Sequence, residues 1–229
     1  MTDRFFLRPE PVRTPEDVIP LLAKGSDHWK QGRSAYELAH SWLESRGIPT
    51  SVQEVLGQSD TFRGAQLVEG FFEHNTSLRT AGRDSQTDLL AVVRMSSGLG
   101  IIGVEGKVDE SFGPLVRDWN DGSIGKTRRL ASLLKTLNID LGSALDLRYQ
   151  LFHRTAAAVY ESQRYGAGQA MMLVHSFSPN FAGFDDFAKF AEVLGTPVRE
   201  PNSVSVEIAL DGIAVSLSWV ADRPGELRS

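Results

Sequence analysis

Thr87-Asp88-Leu89-Leu90-Ala91-Val92-Val93-Arg94 and Ile101-Ile102-Gly103-Val104-Glu105-Gly106-Lys107-Val108 are the two stretches that decide how this chain is read. Both are short, rich in β-branched and aliphatic residues, and separated by the glycine-containing segment 95–100, a pattern that predicts a β-hairpin. Charge breaks the apolar runs mainly away from the turn. Asp88 opens the first strand, and Glu105 and Lys107 close the second. Residues two apart on a strand share a face, so Glu105 and Lys107 project together. A turn of about six residues places position 88 opposite 107, which makes Asp88 a diagonal neighbour of Glu105, roughly 7–8 Å away. A slip of one residue would send Asp88 to the other face.

Two carboxylates and a backbone carbonyl, here that of Gly106, suit a hard divalent cation such as Mg²⁺ or Mn²⁺, which keeps several waters for a substrate. Lys107 beside them can orient or deprotonate a bound water and offset charge on a phosphate. Burial and the neighbouring carboxylates push its pKa in opposite directions. These are the parts used in metal-assisted phosphodiester hydrolysis.

Around the hairpin the pattern alternates. Ser34-Ala35-Tyr36-Glu37 reads as a capping box that starts a helix ended by Gly47 and Pro49. A strand is expected through 71–78, helices over 126–137 and 145–162, a strand over 170–177 and a helix over 184–194. A second hairpin, 204–210 and 213–220, turns at Asp211-Gly212. The expected fold class is α/β with a mixed sheet. Residues 1–33, with four prolines, read as an irregular arm packed on a core at 34–177. Residues 178–229 read as a C-terminal helix and hairpin that decorate the same domain. On the 145–162 helix, Asp146, Gln150 and Arg154 form one polar stripe. From there Gln150 can hydrogen-bond a nucleophilic water or the scissile phosphate, and Arg154 can pair with a neighbouring phosphate.

Two glycine patterns carry less. Gly98, Gly100 and Gly103 match a dinucleotide-binding spacing, but they lie in a turn leading into a strand, where no helix N-terminus follows. Gly122-Ser123-Ile124-Gly125-Lys126-Thr127 does open a helix, yet Asn120 stands where a phosphate-binding loop needs glycine. The helix N-terminus beside Lys126 can still hold a nucleic-acid phosphate.

Helix, three strands, helices and strand, with Asp opening the second strand and Glu-Gly-Lys on the third, resembles the PD-(D/E)XK nuclease superfamily, the restriction-endonuclease-like folds. The resemblance rests on Ser85-Gln86-Thr87-Asp88 and Val104-Glu105-Gly106-Lys107, with Tyr149-Gln150-Leu151 similar to a helix motif of the exonuclease branch. Arg154 stands where that branch has tyrosine. The resemblance implies a restriction-endonuclease-like core over 34–177, in an uncharacterised bacterial branch. It further implies Asp88, Glu105 and Gly106 as metal ligands, Lys107 as the residue acting on water, and Gln150, Arg154 and Lys126 on the substrate side. The substrate would be nucleic acid, DNA by analogy, with Mg²⁺ or Mn²⁺ as cofactor. The alternative is a non-catalytic descendant kept as a binding or assembly module, homodimeric through its C-terminal hairpin, since edge strands invite pairing.

Composition sets the outer limits. The 229 residues are 41% hydrophobic and 23% charged, with no cysteine, which excludes disulfides, thiolate metal sites and a thiol nucleophile. A net charge of −5 argues against sequence-independent coating of nucleic acid, yet the segment 123–139 carries Lys126, Arg128, Arg129 and Lys135 with no acid. No long apolar run marks a leader or a membrane span, so a cytoplasmic protein without a membrane partner is expected.

Overall fold

Apolar strands buried on both faces form the centre of the structure, a computed structural model that describes residues 5–7, 10–22 and 29–222. Among those residues the strands are β1 (Phe5–Leu7), β2 (Glu10–Pro11), β3 (Gln66–Thr76), β4 (Ser85–Met95), β5 (Gly98–Lys107), β6 (Gln169–Ser176), β7 (Ser203–Val204), β8 (Ile208–Leu210) and β9 (Ile213–Ala221). They form one open sheet in the order β2-β1-β3-β4-β5-β6-β9-β7, with β8 also paired to β9. The sheet is mixed. β3–β4–β5 is an antiparallel meander, whereas β5, β6 and β9 run parallel. The helices are α1 (Ser34–Glu44), α2 (Thr50–Leu56), α3 (Val116–Trp119), α4 (Ile124–Leu137), α5 (Leu141–Ala144), α6 (Tyr149–Tyr165) and α7 (Phe184–Val193), with a 3₁₀ helix at Pro15–Leu21. The fold class is α/β.

Each face of the sheet is covered by helices. On one side Leu38 and Trp42 of α1 and Val52 and Val55 of α2 join a core with Leu89, Ala91, Val93, Ile102 and Val104. On the other, α4, α6 and α7 bring Leu133, Phe152, Ala156 and Phe187 against Met172, Val215, Leu217 and Trp219. Strands covered twice read as nearly continuous hydrophobic runs, as 89–93 and 170–174 do.

The hairpin exists, with a tighter turn than its sequence suggests. Met95 pairs with Gly98, so only Ser96 and Ser97 lie between the strands. Gly98, at φ +127°, supplies a conformation that other residues rarely adopt. The register therefore moves by two residues. Leu89 faces Val104, and the next step sets Asp88 opposite Glu105 rather than Lys107. A shift of two preserves the face, so the expected grouping survives.

Other boundaries moved for tertiary reasons. α1 begins at Ser34 but is capped by Arg33, and Glu37 accepts the Gly32 N–H at 2.8 Å, so there is no capping box at 34–37. Pro49 does not merely end a helix; it precedes α2. The helix expected over 145–162 starts only at Tyr149. The Val116 N–H donates to the Leu147 carbonyl at 2.9 Å and the Tyr149 N–H to the Pro114 carbonyl at 3.1 Å, which holds 147–149 in extended pairing. Asp146 is thereby cut off from the stripe and pairs with Arg117 instead. The C-terminal hairpin turns at Asp211-Gly212 as β8–β9, but it is no decoration: β9 lies between β6 and β7, with 215–220 buried. No helix among the described residues is long and apolar enough to cross a membrane.

Candidate functional site

Gly103 and Gly106 explain why the end of β5 can carry charge inside the molecule. A Cβ on Gly103 would lie 3.4 Å from the Ala158 methyl, so small residues let α6 lie close over β5. A Cβ on Gly106 would lie 3.3 Å from a Leu38 methyl on the opposite face, where α1 packs equally close. Glu105 and Lys107, one residue either side of Gly106, consequently point beneath α6, where Gln150 and Arg154 are one helical turn apart. All four meet. Lys107 Nζ donates to Glu105 Oε1 at 2.9 Å and to Gln150 Oε1 at 3.3 Å, and Gln150 Nε2 donates to Glu105 Oε1 at 2.7 Å. Arg154 Nε donates to Glu105 Oε2, its Nη1 to Ser85 Oγ at 3.2 Å, and its Nη2 lies 3.6 Å from Asp88 Oδ1. Asp88 Oδ2 accepts the Gly106 N–H at 2.9 Å. In an extended strand the carbonyl of a residue faces the same neighbour as its N–H, which puts the Gly106 carbonyl on that edge too.

A third acid faces this group. β3 pairs with β4 through Phe72–Leu89 and His74–Thr87, which bracket Glu73 opposite Asp88. Glu73 has φ +52°, a left-handed residue within a strand, and such strain gathers at functional positions. Glu73, Asp88 and Glu105 thus form a row across β3, β4 and β5. Behind Lys107, Glu110 Oε2 accepts the Val108 N–H at 3.2 Å, while its Oε1 is buried without a hydrogen-bond partner among the described residues.

The charges are unequal. Burial would raise Glu105, but the Arg154 guanidinium and the Lys107 ammonium outweigh it and hold the carboxyl at about 2. Asp88 is pushed up to about 7, by burial first and the Glu105 carboxylate second. Glu73 is pushed up to about 9 by burial and then by Asp88. Burial would lower Lys107, yet the Glu105 and Asp88 carboxylates prevail and raise it. This resolves the opposing signs left by the sequence: Lys107 is an ammonium.

One protein-family description, "Domain of unknown function (DUF6946)", matches residues 11–224. The chain belongs to that family. No curated protein and no solved structure matches it.

In this DUF6946 chain Asp88, Glu105, Lys107, Gln150 and Arg154 come together, and Gly106 adjoins them. Lys126 does not join them. It projects from the first turn of α4, paired with Asp121 at 2.9 Å and 5.5 Å from the Trp119 ring centre. Arg154 is buried and bound to acids, not presented to solvent. Sequence reasoning missed Glu73, whose only local signal is a lone acid in an apolar stretch, Phe71-Phe72-Glu73. It also missed His153, which shares a hydrogen bond of 2.8 Å with Ser85 Oγ and so supports Arg154 from behind. Among the described residues no three His, Cys, Asp or Glu side chains converge to chelate an ion as they stand. Both Glu105 oxygens are engaged by Lys107, Gln150 and Arg154. His175, with no metal spacing in the sequence, is fully buried and takes the Trp42 Nε1–H at 3.2 Å on Nδ1, while its Nε2 lies 3.1 Å from Asp222 Oδ2.

Proposed function

We propose that this chain is a divalent-metal-dependent nuclease of the PD-(D/E)XK type, with a restriction-endonuclease-like core, that hydrolyses a phosphodiester bond of nucleic acid. DNA is taken as the substrate by analogy of fold alone. The observation that carries the reading is the convergence of Asp88, Glu105, Lys107 and Gln150 on one face, drawn from two strands and a helix. The donor set fits a hard cation in its chemistry. Among the described residues Glu73, Asp88 and Glu105 face two cations, Lys107 and Arg154, one positive charge short if all three ionise, while burial first and neighbouring carboxylates second push Asp88 and Glu73 up. The orphaned oxygen of Glu110 adds to that shortage.

A Mg²⁺ or Mn²⁺ ion held by Asp88, Glu105 and the Gly106 carbonyl would polarise a water and neutralise charge growing on the phosphate. Lys107, as an ammonium, would not take the proton of that water, which would pass to solvent. It would donate to the water's oxygen and direct its attack, and its charge would offset the negative charge growing on the phosphate. Gln150 holds Lys107 in place and can accept a hydrogen bond from the same water. Were Glu105 to turn to the ion, Arg154 would be released from it, and its planar donor fork would suit a substrate phosphate. Glu73 faces Asp88 and completes the acidic row.

The test is cleavage of plasmid, linear and single-stranded DNA in Mg²⁺, Mn²⁺ and EDTA. Wild-type protein is expected to cut with metal only, and Asp88→Ala and Lys107→Ala to lose about a hundredfold or more. Cutting that survives both substitutions overturns the assignment. The Glu105–Arg154 pair favours one other reading, because a site satisfied by its own arginine needs no ion: a non-catalytic binding or assembly module, a homodimer among its forms. That reading requires no cutting and no change in thermal stability on adding Mn²⁺.

A further inference from the structure

Beside the acidic group lies a cleft of about 520 Å³ between the β3–β4 loop, α3, the first turns of α4 and the start of α6. Arg83, Lys126 and Arg129 line it, no acid does, and its wall is formed by Trp119 and Tyr149. The two rings are stacked face to face, with centroids 3.6 Å apart and 8° between planes, so the buried Tyr149 backs Trp119 and leaves the outer face of the Trp119 ring toward the cleft. Arg129 spends its Nε on the Tyr149 hydroxyl at 2.8 Å, which fixes the guanidinium at the edge of that wall. The loop can come this close because residue 82 is glycine: a Cβ there would lie 3.0 Å from Arg129 Nη1, and its φ is +120°. Arg83 has no ion-pair partner among the described residues. Lys126 lies 5.5 Å from the Trp119 ring centre and pairs with Asp121, in a pair whose side chains are 38% and 59% exposed and which a phosphate can displace. In a protein of net charge −5, such a gathering of cations around an apolar wall points to an anionic partner that also has a flat apolar face.

The geometry points to a binding groove for an unpaired polynucleotide strand, which lays phosphates against Arg83, Lys126 and Arg129 and a base against the Trp119 ring that Tyr149 backs. A duplex keeps its base faces stacked on one another and would leave that wall uncovered, so a single strand is the better fit. The cleft adjoins the acidic site through α6. Tyr149 immediately precedes Gln150. His153, one turn further along α6, touches the Tyr149 ring at 5.1 Å and bonds Ser85, the partner of Arg154. A strand seated here feeds its next phosphodiester toward Gln150 and Lys107. This deepens the nuclease reading by naming its substrate class, and it rests on that reading for the cutting step but not for the binding step.

Fluorescence anisotropy in EDTA, where no metal-dependent cutting occurs, tests it with a labelled thymidine oligonucleotide of about twelve residues, the matching duplex, and free thymidine monophosphate as competitor. The single strand is expected to bind more tightly than the duplex, and the monophosphate to compete poorly. Arg83→Ala combined with Lys126→Ala should weaken strand binding about tenfold or more and reduce the slope of log K against log salt by about 1.4, two phosphate contacts on a single strand. Both residues lie at the surface, so folding should be unaffected, which circular dichroism checks. Arg128→Ala, on α4 but outside the cleft, should bind as wild type does. Equal affinities for wild type and the double variant, a preference for the duplex, or full competition by the monophosphate each overturn the groove. Strand binding that follows the cleft without any cutting in Mg²⁺ removes the nuclease reading and leaves the groove. Cutting that persists with unchanged binding in the double variant removes the groove alone.

Discussion

Arg154 is the buried counter-ion on which Glu105 depends. Removing one partner of such a pair leaves a desolvated charge, so Arg154→Ala should lose about 3–5 kcal/mol in urea unfolding with EDTA present. Mg²⁺ should restore a good part of that loss if the ion uses Glu105, and a metal-independent deficit would show that it does not. His153 gives a test by pH. Burial first, and the Arg154 charge second, hold its pKa down to about 3 from 6.5, so the folded protein keeps it neutral. The unfolded chain then binds the extra proton between those values. The stability this neutral residue allows is therefore intact above 6.5 and declines as the medium is acidified, by about 1.4 kcal/mol per pH unit for one proton. His153→Gln, which can keep a hydrogen bond to Ser85, should flatten that part of the melting-temperature profile; an unchanged slope would mean that His153 does not titrate as argued. Glu105 and Lys107 were legible in the sequence because strand periodicity puts them on one face, and Asp88 because the expected hairpin register has the same parity as the real one. Arg154's burial was not, since spacing of four residues along a helix looks the same toward solvent as toward a sheet. Glu73 was hidden because its role depends on which strand lies beside β4, and its left-handed backbone leaves no mark in the residue pattern.

The β4–β5 hairpin and α6 together set the geometry of the site, and their contact depends on side chains that are absent. Gly103→Val should press its methyls into Ala158 and lose about 1–3 kcal/mol by overpacking. On the nuclease reading its cutting should also fall, with folding intact by circular dichroism, because α6 is pushed off β5 and Gln150 leaves Glu105. Unchanged cutting would show that the helix need not approach so closely. The hairpin was readable from its two aliphatic runs, and the error in its turn was harmless because two residues is one strand repeat. The start of α6 was not readable. Its true first turn is set by pairing with 114–116, which lie about thirty positions away and outside any helical pattern. α2 was missed for a related reason: Pro49 ends one helix pattern and begins another with equal ease.

Across the molecule as a whole, the second half of the chain supports the face of the first half that carries the acidic row. Trp219 on β9 is fully buried and packs against the rings of Phe112, Phe184 and Phe187, and Phe112 in turn lies 4.8 Å beneath Lys107 Nζ. Trp219→Ala should lose about 3–5 kcal/mol in denaturant unfolding. Trp219→Phe should retain most of that stability, and an alanine variant as stable as wild type would mean that β9 is dispensable. The α/β class followed from alternating patterns along the sequence, but β9's place inside the sheet did not, because parallel neighbours far apart in sequence share no turn to announce them. That placement has a consequence for biosynthesis. A ribosome completes residues 66–107, and with them the whole acidic row, long before it makes 213–221, so β6 emerges with one side unpaired. Until β9 slots in and closes the gap, that bare flank of the nascent polypeptide is open to provisional pairing or to a chaperone.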